Sequence, residues 1–478
     1  MTFIQGSNPS VSFPSALSAE GVIATPHPDA IAAILNRFTH FGVELGLERI
    51  ERLLNALGNP QRQVPIIHVA GSNGKGSVCA YLSAVLKQAG YQVGRYISPH
   101  LVDWTERICI NDVAIAPQTL QTLLTEVVSA IDPSHPSPTQ FEVITAASWL
   151  HFARQRVDVA VIEVGLGGRL DATNVCDRPL VSVITSLSRE HWQRLGPTLA
   201  DITREKAGIL KPGCPAAIAP QPAEATAVLK QRLRELGCPV VWVEPAKAQG
   251  EGWAELPAQT VEWGSQTGGE LLEAYTPPAP LPPCISPLKY PLPLPGAHQL
   301  INSAVAIAAL RLLQMQGWAI EDRAIAEGMG QAQWPGRLQW TLWHNRPLLI
   351  DGAHNPAGAM TLRQYVDTSD RVTRPVHWVM GMIGTKDHAD VLRELLRQGD
   401  RLSLVPVPDH LPVDLEYLAQ LAREVCPDLA ACQTFSDVIA ALSAAVAASP
   451  ATQSIVLCGS LYLIGHFFKL SHCLKQHQ

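Results

Sequence analysis

The chain has 478 residues, 47% hydrophobic and 16% charged, with a formal net charge of −6. That length exceeds one ordinary core and calls for at least two domains. The acidic balance argues against a nucleic-acid or membrane-surface partner, because no excess of Lys and Arg coats the chain, yet it leaves room for a local basic pocket.

No apolar run is long enough to span a bilayer. The opening segment MTFIQGSNPSVSFPSALSAEG has no basic region leading into an apolar stretch, so it reads as a loose arm and not as a signal peptide. Ten cysteines are scattered singly with no C-x-x-C pair. They read as reduced thiols in a cytoplasm, and metal binding through cysteine is disfavoured.

Apolar residues recur at helical spacing from Ala30 to Ala56, ending at the turn signal Gly58-Asn59-Pro60. A short apolar run, Val64 to Ala70, predicts a buried strand. A glycine-rich loop, Gly71-Ser72-Asn73-Gly74-Lys75-Gly76-Ser77, then leads into a helix from Ser77 to Ala89 and a strand from Tyr91 to Ile97. This strand–loop–helix–strand unit continues as a helix (FEVITAASWLHFARQ), strands (VDVAVIEVGLGG, LVSVITSLS), a helix (TLADITREKAGIL) and two strands flanking a helix from Ala223 to Leu236. Such alternation predicts a mostly parallel, doubly wound sheet.

Between about Glu244 and Pro295 the texture shifts to glycine, polar residues and YTPPAPLPPCISPLKYPLPLPG, where prolines forbid helix and central strand. This predicts irregular hairpin structure running into a stiff linker, with a division near Pro295. Alternation resumes with a helix from His298 to Gly317, a strand at Pro347–Ile350, a helix from Ala357 to Val366 and a strand at Pro375–Met380. It ends with the strand SIVLCG and a helix from Ser460. The expected architecture is therefore α/β in two units: residues 1–295, P-loop ATPase-like with the N-terminal arm, and residues 296–478, a smaller Rossmann-like unit.

The glycine loop lets backbone N–H groups converge on an anion, and the helix after it adds the positive end of its dipole. Lys75 would reach the β- and γ-phosphates of a nucleotide, and the Ser77 hydroxyl could ligate Mg²⁺. Yet the loop departs from G-x-x-x-x-G-K-[ST]: Val69 stands six residues before Lys75, and Gly76 separates Lys75 from Ser77.

HVAGSNGKGS, SPHL and ERICIND together resemble the ATP-binding segment of the Mur ligase superfamily, in its folylpolyglutamate synthase/dihydrofolate synthase branch. EVGLGGRLDATN, REKAGILKPG, GAHQLINSA, PGRLQ, IDGAHNP and GSLYLIG follow in that family's order, so the resemblance covers nearly the whole chain. It implies Mg²⁺, in two sites, held by Ser98, Glu163 and His191 with Ser77. It also implies a carbamylated Lys206, Asn302 against the adenine, Arg337 reaching the phosphates from the second unit, and Asp351 on the nucleotide. His354 falls where acyl group and amine meet. Glu190 stands where the family carries Asp before the histidine, and Thr385 replaces the first acid of a D-K-D block that keeps Lys386 and Asp387.

The chemistry such an inventory serves is carboxylate activation. A carboxylate is a poor electrophile towards an amine, whereas an acyl phosphate has a good leaving group. The demand is then for charge neutralisation rather than a nucleophilic side chain. The expected reaction joins L-glutamate to dihydropteroate or a reduced folate at the expense of ATP, in a cytoplasmic monomer. Lys75, His191, Lys206, Arg337 and His354 form its catalytic set; Gly71 to Ser77, Asn302, Arg337 and Asp351 hold the nucleotide. Competing readings are a cell-wall Mur ligase acting on a UDP-linked acid, and a nucleotide-dependent switch without ligase activity.

Overall fold

The computed structural model describes residues 29–39, 44–262, 284–384, 387–408, 413–450 and 452–476. The expected N-terminal arm, much of the proline-rich stretch, and Thr385 with Lys386 lie outside them. The first unit is a ten-stranded sheet. Its order is Cys284–Ile285, Gln259–Glu262, Val240–Trp242, Ala216–Ile218, Val181–Ile184, Ile66–Ala70, Val159–Glu163, Val93–Tyr96, Ile108–Ile110 and Val113–Ala114. The six strands from Val240–Trp242 through Val93–Tyr96 are parallel. All five residues of both Ile66–Ala70 and Val159–Glu163 are buried, as continuous apolar strands covered on two faces must be. Val69 pairs with Glu163 and Ala70 with Ile184, so the loop after Ala70 and the Glu163 carboxylate emerge side by side at the carboxyl end of the sheet.

One face of this sheet is covered by the helix Gln140–Gln155, whose Trp149 and Phe152 are fully buried with Tyr96 and Ile162. A capping box between Thr139 and Glu142 starts that helix. The other face carries the helix Lys75–Gln88, buried continuously from Ser77 to Leu86. A helix apolar on every side needs cover on every side. That cover comes from the helices His298–Met315 and Asp322–Gln331, which share its core. A Cβ on Gly328 would lie 2.5 Å from the Val85 Cα, so the backbones nearly touch.

The expected division at residues 295/296 therefore falls ahead of two helices that bury their apolar faces in the first unit's core. The expected stiff linker is also partly sheet. Leu288–Pro291 pairs antiparallel with Trp253–Leu256 at the edge of a three-stranded sheet, where proline needs no ladder partner.

The second unit is a six-stranded sheet ordered Gln339–Trp343, Arg346–Ile350, Ile455–Cys458, His377–Met380, Arg401–Leu404 and Ala431–Thr434. All neighbours are parallel except the opening hairpin. Helices Pro356–Thr368, His388–Leu395 and Leu415–Val425 cover one face, and Val438–Ala448 with Leu461–Gln476 the other.

The last helix also packs on the first unit. A Cβ on Gly465 would lie 1.7 Å from the Leu101 carbonyl oxygen, and Leu101 packs against the core beneath this helix. The substitution Gly465→Ala is expected to destabilise the protein by about 1–3 kcal/mol, as overpacking does. Denaturant unfolding checks this; an unchanged midpoint would mean that the helix does not dock there.

Candidate active site

Gly71–Ser77 lies at the carboxyl end of the central strand Ile66–Ala70, where open α/β sheets bind ligands. Gly74, with φ of +91°, caps the helix in the left-handed region that favours glycine, and a Cβ there would meet Asn302 Oδ1 at 2.3 Å. The inserted Gly76 has a different reason: a Cβ on it would lie 2.2 Å from the Trp334 ring. The unusual glycine thus makes room for an indole arriving from beyond the first sheet. The first intrahelical bond runs from Val78 N–H to Gly74 O, which leaves the preceding amides at the open, positive end of the helix.

Lys75 folds back on its own loop, with Nζ 3.0 Å from Gly71 O and 3.4 Å from Ser72 O. Beside it Glu163 ends its strand in a buried position. Burial pushes the Glu163 carboxyl up to about 7 against the pull of Lys75 from its own unit and Arg337 from the other. Ser98 presents a buried Oγ with no hydrogen-bond partner, and its backbone N–H is among the groups that pull the Glu163 carboxyl down. A bare hydroxyl next to a buried carboxylate is a hard-oxygen donor set that suits Mg²⁺. Ser77 contributes less readily, because its Oγ accepts from Gln299 Nε2 at 3.2 Å. His191 is exposed, with φ of +47°, at the start of the short helix Trp192–Leu195. Among the described residues no group of three or more His, Cys, Asp or Glu side chains is disposed to hold a metal.

Lys206 is almost fully buried, with Nζ 2.8 Å from Gly71 O and 2.9 Å from Glu190 Oε1. Burial alone would raise the Glu190 carboxyl, but the ammonium groups of Lys206 and Lys75 hold it well below the usual carboxylate range. Burial lowers Lys206 in turn. The pair is charged in place because each partner, left alone there, would carry a large desolvation cost.

The second unit brings Arg337, Asp351, His354 and Asn355 to the same seam. Asp351 is buried and organises the turn, accepting from Leu338 N at 2.9 Å and Ala353 N at 2.8 Å. It faces Arg337, whose guanidinium is lowered by burial. His354 Nδ1 lies 2.8 Å from Gly352 O; a carbonyl only accepts, so Nδ1 carries a proton. His298 is driven down to about 4 by burial and by Arg337, so its imidazole is neutral. A mainly apolar cavity of about 330 Å³, lined in part by Pro99, His100, Trp334 and Leu461, opens beside Arg337 and offers room for an organic acceptor.

The structure thus gathers Lys75, Ser98, Glu163, Lys206, Arg337, Asp351 and Asn302 around one seam and leaves His191 at its exposed margin. Three residues there were not singled out from sequence: Gln299 on Ser77, Trp334 on Gly76, and Asn355, whose Nδ2 donates to Asn73 Oδ1 at 3.1 Å. Each stands inside or beside a quoted motif (HQLIN, WPGRLQ, DGAHNP), which was the available signal.

Residues 69–310 match the Mur ligase middle domain, and residues 338–470 the dihydrofolate synthetase C-terminal domain. The Saccharomyces cerevisiae dihydrofolate synthetase is 34% identical over 449 residues, covering 90% of this chain and 98% of its own. Mycobacterium tuberculosis folylpolyglutamate synthase complexed with ADP superposes with a TM-score of 0.75 at 29% identity, covering 92% of this chain and 98% of that one. Escherichia coli FolC in complex with DHPP and ADP gives 0.74 at 28% identity, covering 94% and 100%.

The neutral His298 has a pH signature. Its folded value lies below the ordinary 6.5, so the unfolded chain binds the extra proton between those values. The associated stability is fully present above pH 6.5 and is lost as pH falls towards 4. His298→Gln is expected to flatten that acid limb by up to about 3 kcal/mol, read from denaturant midpoints across pH 4 to 7.

Proposed function

The chain belongs to the folylpolyglutamate synthase/dihydrofolate synthase family of Mur ligases, ATP-dependent enzymes that join glutamate to a pteroate or folate carboxylate, and from that premise we propose the following roles for its residues. The observation that carries the assignment is the buried Glu163 carboxylate set between Lys75 of one unit and Arg337 of the other. A UDP-muramoyl ligase and a ligase-inactive switch are disfavoured, because the C-terminal match is to dihydrofolate synthetase.

ATP lies with its phosphates on the Gly71–Ser77 loop and its adenine towards Asn302. An acceptor carboxylate oxygen bonds to the γ-phosphorus while the β–γ bridging bond breaks and ADP departs. Lys75 and Arg337 converge on the transferring group from opposite sides and offset its charge. Ser98 and Glu163 would hold Mg²⁺, with Ser77 and the exposed His191 as the further donors that the family pattern implies. Bound there, magnesium supplies further neutralisation at the phosphates.

The glutamate amine then attacks the acyl carbon, and phosphate leaves with the C–O electron pair. His354 takes the amine proton. Asp351 acts first on the protein itself, fixing the turn that carries His354. Lys206 serves as an ammonium that anchors Gly71 and neutralises Glu190. Carbamylation would replace those donors with a second carboxylate beside Glu190 and would require Glu190 to turn away or take up a proton. We place the division between the units near Pro335, after the two helices that complete the first core. Among the described residues no helix is long and apolar enough to cross a membrane; a cytoplasmic monomer is the accompanying reading.

Phosphate release with ATP, Mg²⁺ and glutamate should depend on dihydropteroate or a reduced folate and not on a UDP-muramoyl acceptor. Absence of glutamate-dependent turnover with either pterin would overturn the assignment. Lys75→Ala should lower kcat by about 10²- to 10³-fold, the scale of losing one preorganised stabilising group; full activity would remove the loop from the mechanism. Protein equilibrated with ¹³C-bicarbonate should give no carbamate resonance, and its appearance would reverse the role given to Lys206.

A further inference from the structure

Asn73 is held by the first unit through its backbone. Its carbonyl oxygen accepts from Thr185 Oγ1 at 2.8 Å and from Ser186 Oγ at 3.1 Å, and its N–H donates to Ser186 O at 3.3 Å. Its side chain is left to reach outward. Across the seam, Asn355 is equally constrained. It is buried, it caps the helix Pro356–Thr368 by accepting from Gly358 N at 2.8 Å, and it follows the turn that Asp351 braces. Because Asn355 Oδ1 must accept that N–H, its Nδ2 faces the other way and donates to Asn73 Oδ1 at 3.1 Å. Asn73 Nδ2 then turns to Ser188 Oγ at 3.5 Å. The chain of donors and acceptors fixes both amides without ambiguity.

We propose that Asn355 is a positioning residue that latches the second unit onto the phosphate loop through Asn73. The latch keeps water away from the acyl phosphate until the amine attacks. This inference rests on the ligase assignment above. The bond joins two rigid pieces, a braced turn and a pinned loop, so it forms only at one relative placement of the units. At that placement Arg337 and Lys75 both bear on Glu163, and His354 stands one residue from the latch. Loosening it admits water. Water then attacks the acyl carbon, the C–O bond to phosphate breaks, phosphate leaves with the electron pair, and the water's protons pass to solvent. The acceptor carboxylate is regenerated and one ATP is lost without an amide. Closure that protects a reactive intermediate is a recognised function of such contacts.

The test is the ratio of phosphate released to amide formed, measured on the full chain with ATP, Mg²⁺, glutamate and the pterin acceptor. Asn355→Ser keeps a hydroxyl acceptor for the helix cap but is too short to reach Asn73. The phosphate released without product should rise about fivefold per amide formed, the factor set by one neutral hydrogen bond. Asn73→Ala leaves the backbone contacts of residue 73 intact and should give the same rise, and the double variant no more than either single one. A wild-type ratio in Asn355→Ser, whatever its kcat, overturns the latch, as do additive effects in the double variant. If Asn355→Ser does not fold, Asn73→Ala alone supplies the same readout. Failure of the wild type to turn over with glutamate would instead count against the ligase assignment.

Discussion

A carboxylate buried at the end of a central strand is the constraint around which this molecule is arranged. Glu163 cannot stay ionised in a dry position unless cations approach it, and its own unit supplies only part of what is needed. Lys75 comes from the phosphate loop and Arg337 from beyond the two helices that complete the first core. Even with both, burial outweighs the cations and the carboxyl sits near 7, so this balance of charge is struck only where the two sheets meet. The buried hydroxyl of Ser98, with no hydrogen-bond partner of its own, adds a second hard oxygen at this point.

The rest of the seam can be read as support for that balance. Lys206 ties Gly71 to Glu190 from below, so the loop is anchored by a buried ion pair rather than by apolar packing. Asp351 turns both its oxygens to backbone amides and so sets the direction of Arg337, His354 and Asn355. Gly76 and Gly74 matter for what presses against them: Trp334 and Asn302 occupy the space a side chain would need. These contacts couple the phosphate loop to residues more than two hundred positions away. Movement of one unit would then be felt at the phosphate loop.

Much of this was legible in the chain alone. Buried strands at Ile66–Ala70 and Val159–Glu163 were readable because both faces are covered, which leaves mainly apolar runs without alternation, interrupted by His68 and ended by Glu163. The loop was legible because glycines and a lysine stand between a buried strand and a helix, although their spacing departs from G-x-x-x-x-G-K-[ST]. Less visible was the extent of the first core. The helices His298–Met315 and Asp322–Gln331 look like the start of a new unit, since local periodicity says that a helix is amphipathic but not which surface it covers. The proline-rich stretch likewise hid an edge strand at Leu288–Pro291, where exposure of one ladder side tolerates proline.

The amino-acid sequence by itself determined the alternating α/β plan, the phosphate loop, and a family of motifs that name a carboxylate-activating ligase. The first two are set by periodicity and glycine spacing in short segments, and the third rests on the resemblance of those motifs to a known family. Tertiary structure alone decided where the first core ends, which cations face Glu163, and that Glu190 is claimed by Lys206. It also decided that Asn355 meets Asn73 across the seam. Such facts depend on distances between residues far apart in the chain, and no local pattern encodes them until burial forces each charge and amide to find its partner.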